Sequence, residues 1–128
     1  MEHTYYFDGN EKMISWMIKS NETKSEQKRL HAEYYYDKVS PDQSKYIALH
    51  VGIFWGIGRF IIKNGDTVKV MIDQKSMFEH LVKNKKIEDP FLEKRAEFIM
   101  QLASQRNLEM QYQFIDPQEN HASKLLIS

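Results

Sequence analysis

The sequence predicts an α/β fold: a five-stranded mixed sheet, three antiparallel strands followed by two parallel ones, with helices between the later strands. Three observations carry this. Near the N-terminus, apolar residues alternate with polar ones in short runs, the period of half-buried strands. After Ser40 the period becomes helical. Beyond that helix, two more strand-like runs are separated by helical stretches, and strands joined through helices run parallel.

His3 to Asp8 reads as the first strand, and Gly9-Asn10 supplies turn chemistry after it. Lys12 to Lys19 alternates about Ile14, Trp16 and Ile18 and reads as its antiparallel neighbour. Ser20 to Gln27 is polar and reads as a loop. Lys28 to Val39, with Leu30, Ala32, Tyr34 and Tyr36 in alternation, then reads as the third strand of a meander. Ser40-Pro41 is a helix start, with Ser40 at the N-cap and Pro41 at the first helical position. Tyr46, Leu49, Ile53 and Phe60 share one face of that helix with Gly52 and Gly56, small residues that let a helix lie close on a sheet; Gly65 reads as its end. Thr67 to Ile72 is the fourth strand. Helices follow over Gln74 to Val82 and from Asp89-Pro90 to about Gln105. Leu108 to Ile115 alternates about Met110, Tyr112 and Phe114 as the fifth strand, and Pro117 to Ile127 reads as a closing helix.

Residues 1–128 suit one domain, long enough to bury a core without staples. There are no cysteines, so neither disulfides nor a thiolate zinc site can form. Five histidines are scattered without metal-ligand spacing, and His50 reads as a packing residue. The most apolar stretch, Ile47 to Ile62, is interrupted by His50, Arg59 and three glycines, so no membrane contact is expected. Met1-Glu2-His3 begins without the basic and apolar regions of a signal peptide, which makes the cytoplasm the default expectation. The 18 Lys plus Arg balance 18 Asp plus Glu, which argues against tight binding driven by phosphate contacts alone.

Two aspartates, Asp8 and Asp73, each stand where an apolar strand gives way to a turn. Carboxylates gathered at strand ends are a common way to hold magnesium. Glu33 and Asp37, two strands away in this reading, do not extend such a site.

The element order, with Phe7-Asp8-Gly9-Asn10 at the first strand end and Asp73 after the fourth strand, resembles the ribonuclease H family. Lys45-Tyr46-Ile47-Ala48-Leu49-His50-Val51-Gly52-Ile53 is similar to that family's first helix, Glu-Tyr-x-Ala-Leu-x-x-Gly-Leu. Ile115-Asp116-Pro117-Gln118-Glu119-Asn120-His121-Ala122-Ser123-Lys124-Leu125-Leu126 resembles its C-terminal stretch, Ile-Pro-Arg-Glu-Glu-Asn-x-x-Ala-Asp-x-Leu-Ala. The resemblance implies a ribonuclease H-like three-layer α/β/α fold over nearly the whole chain.

Active members hydrolyse the RNA strand of RNA–DNA hybrids with two magnesium ions held by four carboxylates. Aligned on these segments, Asp8 and Asp73 match two of the four. Lys45 and Lys124 fall where the other two would be, although a shift of one residue in the last helix would put Ser123 in place of Lys124. Phe114 falls where the family often has a histidine, and its glycine-rich loop is cut down to Gly9-Asn10-Glu11. The resemblance thus implies a degenerate member, a pseudoenzyme in which Lys45 and Lys124 pair with Asp8 and Asp73 and no metal or other cofactor is bound. The alternatives are an active magnesium- or manganese-dependent ribonuclease H with Asp8 and Asp73 as its ligands, and a structural subunit of an oligomer. The implied partners are RNA, an RNA–DNA hybrid or a single strand, weakly bound, or another protein. Lys12, Lys83, Lys85 and Lys86, with Lys19 and Arg29, suit a weak phosphate track, while Trp16 and Tyr35 on an exposed sheet face would stack bases. Each has a plainer reading: lysine clusters usually solvate helix ends, and strand aromatics usually pack.

Overall fold

The computed structural model describes residues 1–127. In chain order the elements are β1 (Glu2–Gly9), β2 (Met13–Ser20), β3 (Thr23–Leu30), α1 (Pro41–Gly58), β4 (Thr67–Ile72), α2 (Lys75–Lys83), α3 (Pro90–Gln105), β5 (Glu109–Phe114), a 3-10 turn (Pro117–Glu119) and α4 (Ser123–Leu126). They build one sheet in the order β3-β2-β1-β4-β5. β1–β2 and β2–β3 pair antiparallel, and β1–β4 and β4–β5 pair parallel. This is the mixed sheet that the pattern of periods predicts.

His3, Tyr5 and Phe7 of β1 and Ile14, Trp16 and Ile18 of β2 point to one buried face. There they meet Tyr46, Ala48, Leu49 and Ile53 of α1. Ser40 caps α1 by accepting from the Gln43 amide at 3.1 Å, while the Gln43 side chain accepts from the Ser40 amide at 3.0 Å, a reciprocal capping box. The predicted glycine face is where α1 meets the sheet. A Cβ at Gly52 would collide with the Tyr5 hydroxyl and stand 2.8 Å from the Trp16 ring. The Tyr5 hydroxyl instead donates to the Ala48 carbonyl at 2.6 Å.

The third strand departs from expectation. It is Thr23–Leu30, paired to β2 through a turn at Asn21-Glu22, and the segment read as a strand, Lys28 to Val39, is mostly turn. β3 is an edge strand whose residues are almost all exposed, so no apolar alternation marks it, and its Lys24, Glu26, Lys28 and Arg29 keep the open edge polar. The tyrosine run follows as a compact turn, closed by Tyr35 and Tyr36 amides donating to the Ala32 carbonyl.

α1 ends at Gly58 rather than near Gly65. The chain reverses through Phe60 at φ 62°, Ile61 donates to the Gly56 carbonyl, and Ile62 is buried. Phe60, expected on the buried face, is consequently 81% exposed. The predicted closing helix is broken at Asn120, which holds ψ 103° so that its side chain can reach the sheet. α1 lies on one sheet face with α3 packed against it, and α4 packs over β1 and β2 on the other.

Candidate functional site

β1 and β4 are parallel neighbours, with Tyr6 opposite Met71, so continuing the register brings Asp8 and Asp73 side by side at the strand ends. The N-terminal turns of α1 pass directly over this edge. A Cβ on Gly9 would strike Ser44, so the missing side chain is what allows helix and strand end to touch. One residue further on, Lys45 Nζ lies 2.6 Å from Asp8 Oδ1 and 3.1 Å from Asp73 Oδ1. All three side chains are at most 15% exposed.

The remaining carboxylate oxygens are also occupied. Ser123 Oγ donates to Asp8 Oδ2 at 2.5 Å, and the Gly9 amide donates to Asp8 Oδ1 at 2.8 Å. Asn120, buried, donates through Nδ2 to Asp73 Oδ2 at 2.9 Å and to the Phe7 carbonyl at 2.8 Å, while its Oδ1 accepts from the Ala122 amide. Each of the four oxygens therefore has a donor. The cluster carries one net negative charge: two carboxylates, one ammonium and neutral Ser123 and Asn120. Burial works to lower the Lys45 pKa, but the hydrogen bonds and charges of Asp8 and Asp73 outweigh it and hold the ammonium above the ordinary lysine value. At an effective dielectric near 20, each contact at ~4 Å is worth about 4 kcal/mol of attraction, of which desolvation takes back a large part.

The structure places the other expected residues differently. Lys124 is exposed beside His121 and does not face the aspartates; the start of α4 brings Ser123 there instead. The reason is the break at Asn120, which sets the rotation of the four-residue helix after it. Trp16 is fully buried against α1, not on an open face, because it pairs opposite Phe7 on the helix side of the sheet. Tyr35 is half-buried in the turn after β3, where its hydroxyl accepts from Arg95 Nη2 at 3.0 Å and its ring packs edge-on to Phe91. Neither ring offers a free stacking face. Lys12 is exposed, paired with Asp37 at 3.1 Å and lying 5.0 Å from the Tyr36 ring centre. Lys83, Lys85 and Lys86 are exposed at the C-terminus of α2, where Asn84 takes the left-handed cap. His50 packs as expected: Arg95 donates to its Nδ1 at 3.2 Å. Sequence reasoning did not single out Asn120; its signal was its place in the matched C-terminal segment, a polar residue at the point where the chain must re-enter the fold.

A divalent cation is what the resemblance would bring to this site, and the residues do not fit one. Magnesium and manganese take about six oxygen ligands. Here two carboxylates are already saturated by donors and an ammonium stands between them. Among the described residues, no group of three acidic, histidine or cysteine side chains is placed to hold a metal ion.

No protein-family profile matches this chain, and no curated protein sequence does. Solved structures do. An RNase H1 from the halophilic archaeon Halobacterium salinarum superposes with a TM-score of 0.75 at 15% identity, covering 98% of this chain and 94% of that one. The N-terminal RNase H domain of a Mycobacterium tuberculosis protein gives 0.78 at 18% identity, over 97% and 89%. LC11-RNase H1, isolated from compost by a metagenomic approach, gives 0.78 at 19% identity, over 97% and 91%. The same protein in complex with an RNA/DNA hybrid gives 0.70 at 14% identity, over 97% and 91%. The chain has a ribonuclease H-like fold.

Proposed function

We propose that this protein is a ribonuclease H-like module that binds nucleic acid without cleaving it. The observation that carries the reading is Lys45 lodged between Asp8 and Asp73. The ammonium supplies the positive charge that a cation would bring, and Ser123 and Asn120 take up the outer oxygens. The site is a partly neutralised, hydrogen-bonded joint between β1, β4, α1 and α4. Among the described residues, Asp8 and Asp73 have a donor on every carboxylate oxygen, which leaves neither ready to activate water.

The inherited surface supports the binding half of the reading. A protein of this fold is known in complex with an RNA/DNA hybrid. This chain keeps exposed lysines at Lys83, Lys85 and Lys86, whose ammonium groups suit phosphate contact. Zero net charge and the Lys12–Asp37 pair keep such binding weak.

The test is a titration of hybrid, duplex and single strand at two salt concentrations, beside a cleavage assay with magnesium or manganese. Weak, salt-sensitive binding with intact strands is the expected result. Cleavage that disappears in Asp8→Asn would overturn the non-catalytic reading. No binding at low salt would overturn the nucleic-acid reading and leave a protein partner as the better one.

A further inference from the structure

At the opposite end of the sheet from the aspartates, three side chains meet in a line. His3 lies near the start of β1, Ser20 ends β2, and Asp66 immediately precedes β4. His3 Nδ1 is 2.6 Å from Ser20 Oγ, and His3 Nε2 is 2.7 Å from Asp66 Oδ2. The five residues from His3 to Asp8 put this cluster about 16 Å along β1 from the first site.

The hydrogen bonding assigns the protons. An ionised carboxylate only accepts, so His3 Nε2 carries the hydrogen toward Asp66. In the neutral ring Nδ1 is then the lone-pair nitrogen, and it faces the Ser20 hydroxyl. Asp66 is held in place from three sides: by His3, by the Lys63 amide at 2.9 Å, and by the Met1 ammonium at 3.1 Å. Burial would raise its pKa, but these donors outweigh burial and draw it down to about 2, so the carboxylate is ionised throughout the neutral range. His3 is fully enclosed, which keeps its ring in one orientation.

This cluster does not lie sealed in the core. A surface cavity of about 780 Å³ is lined by Ser20, Asp66, Lys63 and the hairpin residues Asn21 and Glu22, with Phe60 and Ile61 as an apolar wall. That volume suits a small ligand. Asn21 and Glu22, the turn residues that follow Ser20, line the same cavity.

We propose that Ser20 is the nucleophile of a second site, with His3 as its base and Asp66 as the positioning residue, and that the site takes small activated acyl esters. Ser20 Oγ attacks the ester carbonyl carbon while its proton passes to His3 Nδ1. The ester C–O bond breaks, and the same proton leaves on the departing alcohol. Water then adds to the acyl-serine by the same route, releasing the acid and restoring the Ser20 hydroxyl. The inference does not depend on the nucleic-acid reading, because it uses none of the residues at the other strand ends.

The experiment mixes the full chain with p-nitrophenyl acetate. The expected result is a burst of p-nitrophenol approaching one per chain, with the acetyl group mapped to Ser20 by peptide mass spectrometry. Ser20→Ala should abolish the burst. Asp66→Asn should slow it at least tenfold while leaving its amplitude, a split that a purely structural role would not produce. Because these variants disturb a buried network, the unaltered chain is also treated with a fluorophosphonate probe, with expected labelling at Ser20. Absence of both burst and label in the unaltered chain, or acylation confined to lysines, overturns the proposal.

Discussion

Asn120 Nδ2 donates to Asp73 Oδ2 at 2.9 Å and, with its second hydrogen, to the Phe7 carbonyl at 2.8 Å. One buried amide thus spans the ends of two parallel strands and turns the chain so that Ser123 meets Asp8. Replacing it by leucine keeps much of the volume but leaves Asp73 and the Phe7 carbonyl one donor short each. Asn120→Leu should cost about 2 kcal/mol, within the range for orphaned buried acceptors, read from urea unfolding. An unchanged midpoint would mean that water replaces the amide without loss.

Lys45 bears on stability in a way that depends on pH. Its folded pKa is raised, so the stability it contributes is fully present below the unfolded lysine value and is lost as pH rises through the folded one. Lys45→Met should destabilise the protein by about 3 kcal/mol at neutral pH, since it leaves two buried carboxylates without a cation. The difference from the parent should narrow above pH ~10.5. A constant difference across that window would count against the ion pair as its source.

Two substitutions should convert the joint into a cation site. Lys45→Glu with Ser123→Asp places four carboxylates around the strand ends. Manganese should then raise the melting temperature of the double variant and leave the parent unmoved. At a hundredfold excess over the dissociation constant the stabilisation is about 2.7 kcal/mol. A double variant that folds yet shows no manganese-dependent shift would sink the explanation that Lys45 and Ser123 are what bar metal from the site.

Asp66 makes the protein sensitive to acid. Its folded pKa lies at about 2, below the value for an unfolded aspartate, so its contribution is complete above the unfolded value and fades as pH falls through the folded one. Between pH ~4 and pH ~2 the parent should lose stability more steeply than Asp66→Asn. Equal slopes in paired melts would refute this.

Two glycines of α1 should respond differently to the same substitution. Gly52→Ala drives a methyl group into the Tyr5 hydroxyl and the Trp16 ring, and should cost about 2 kcal/mol as overpacking does. Gly58 has open space at the same position, so Gly58→Ala should be neutral or stabilising by about 0.5 kcal/mol. Thermal melts of the two variants in parallel decide it.

Much of the fold was legible in the chain because burial leaves a period. β1, β2 and β4 pack at least one face, and the capped start of α1 is written in Ser40-Pro41-Asp42-Gln43. β3 was not legible. Both of its faces are largely solvated, so its pairing with β2 comes from backbone hydrogen bonds, which any side chain permits. The tyrosine run misled for the matching reason: alternation that satisfies a strand also satisfies a tight turn stacked on α3.

The sequence by itself determined the two strand-end aspartates, the small-residue face of α1, and the elements β1, β2, α1, β4, α2, α3 and β5 in their order, since each follows from periodicity or turn chemistry along the chain. Only the tertiary structure decided that Ser123 rather than Lys124 reaches Asp8, that Asn120 closes the cluster, and that Ser20, His3 and Asp66 stand in line. The rotation of a four-residue helix and the meeting of residues 63 positions apart are set by packing across the sheet. Local sequence carries no signal for either.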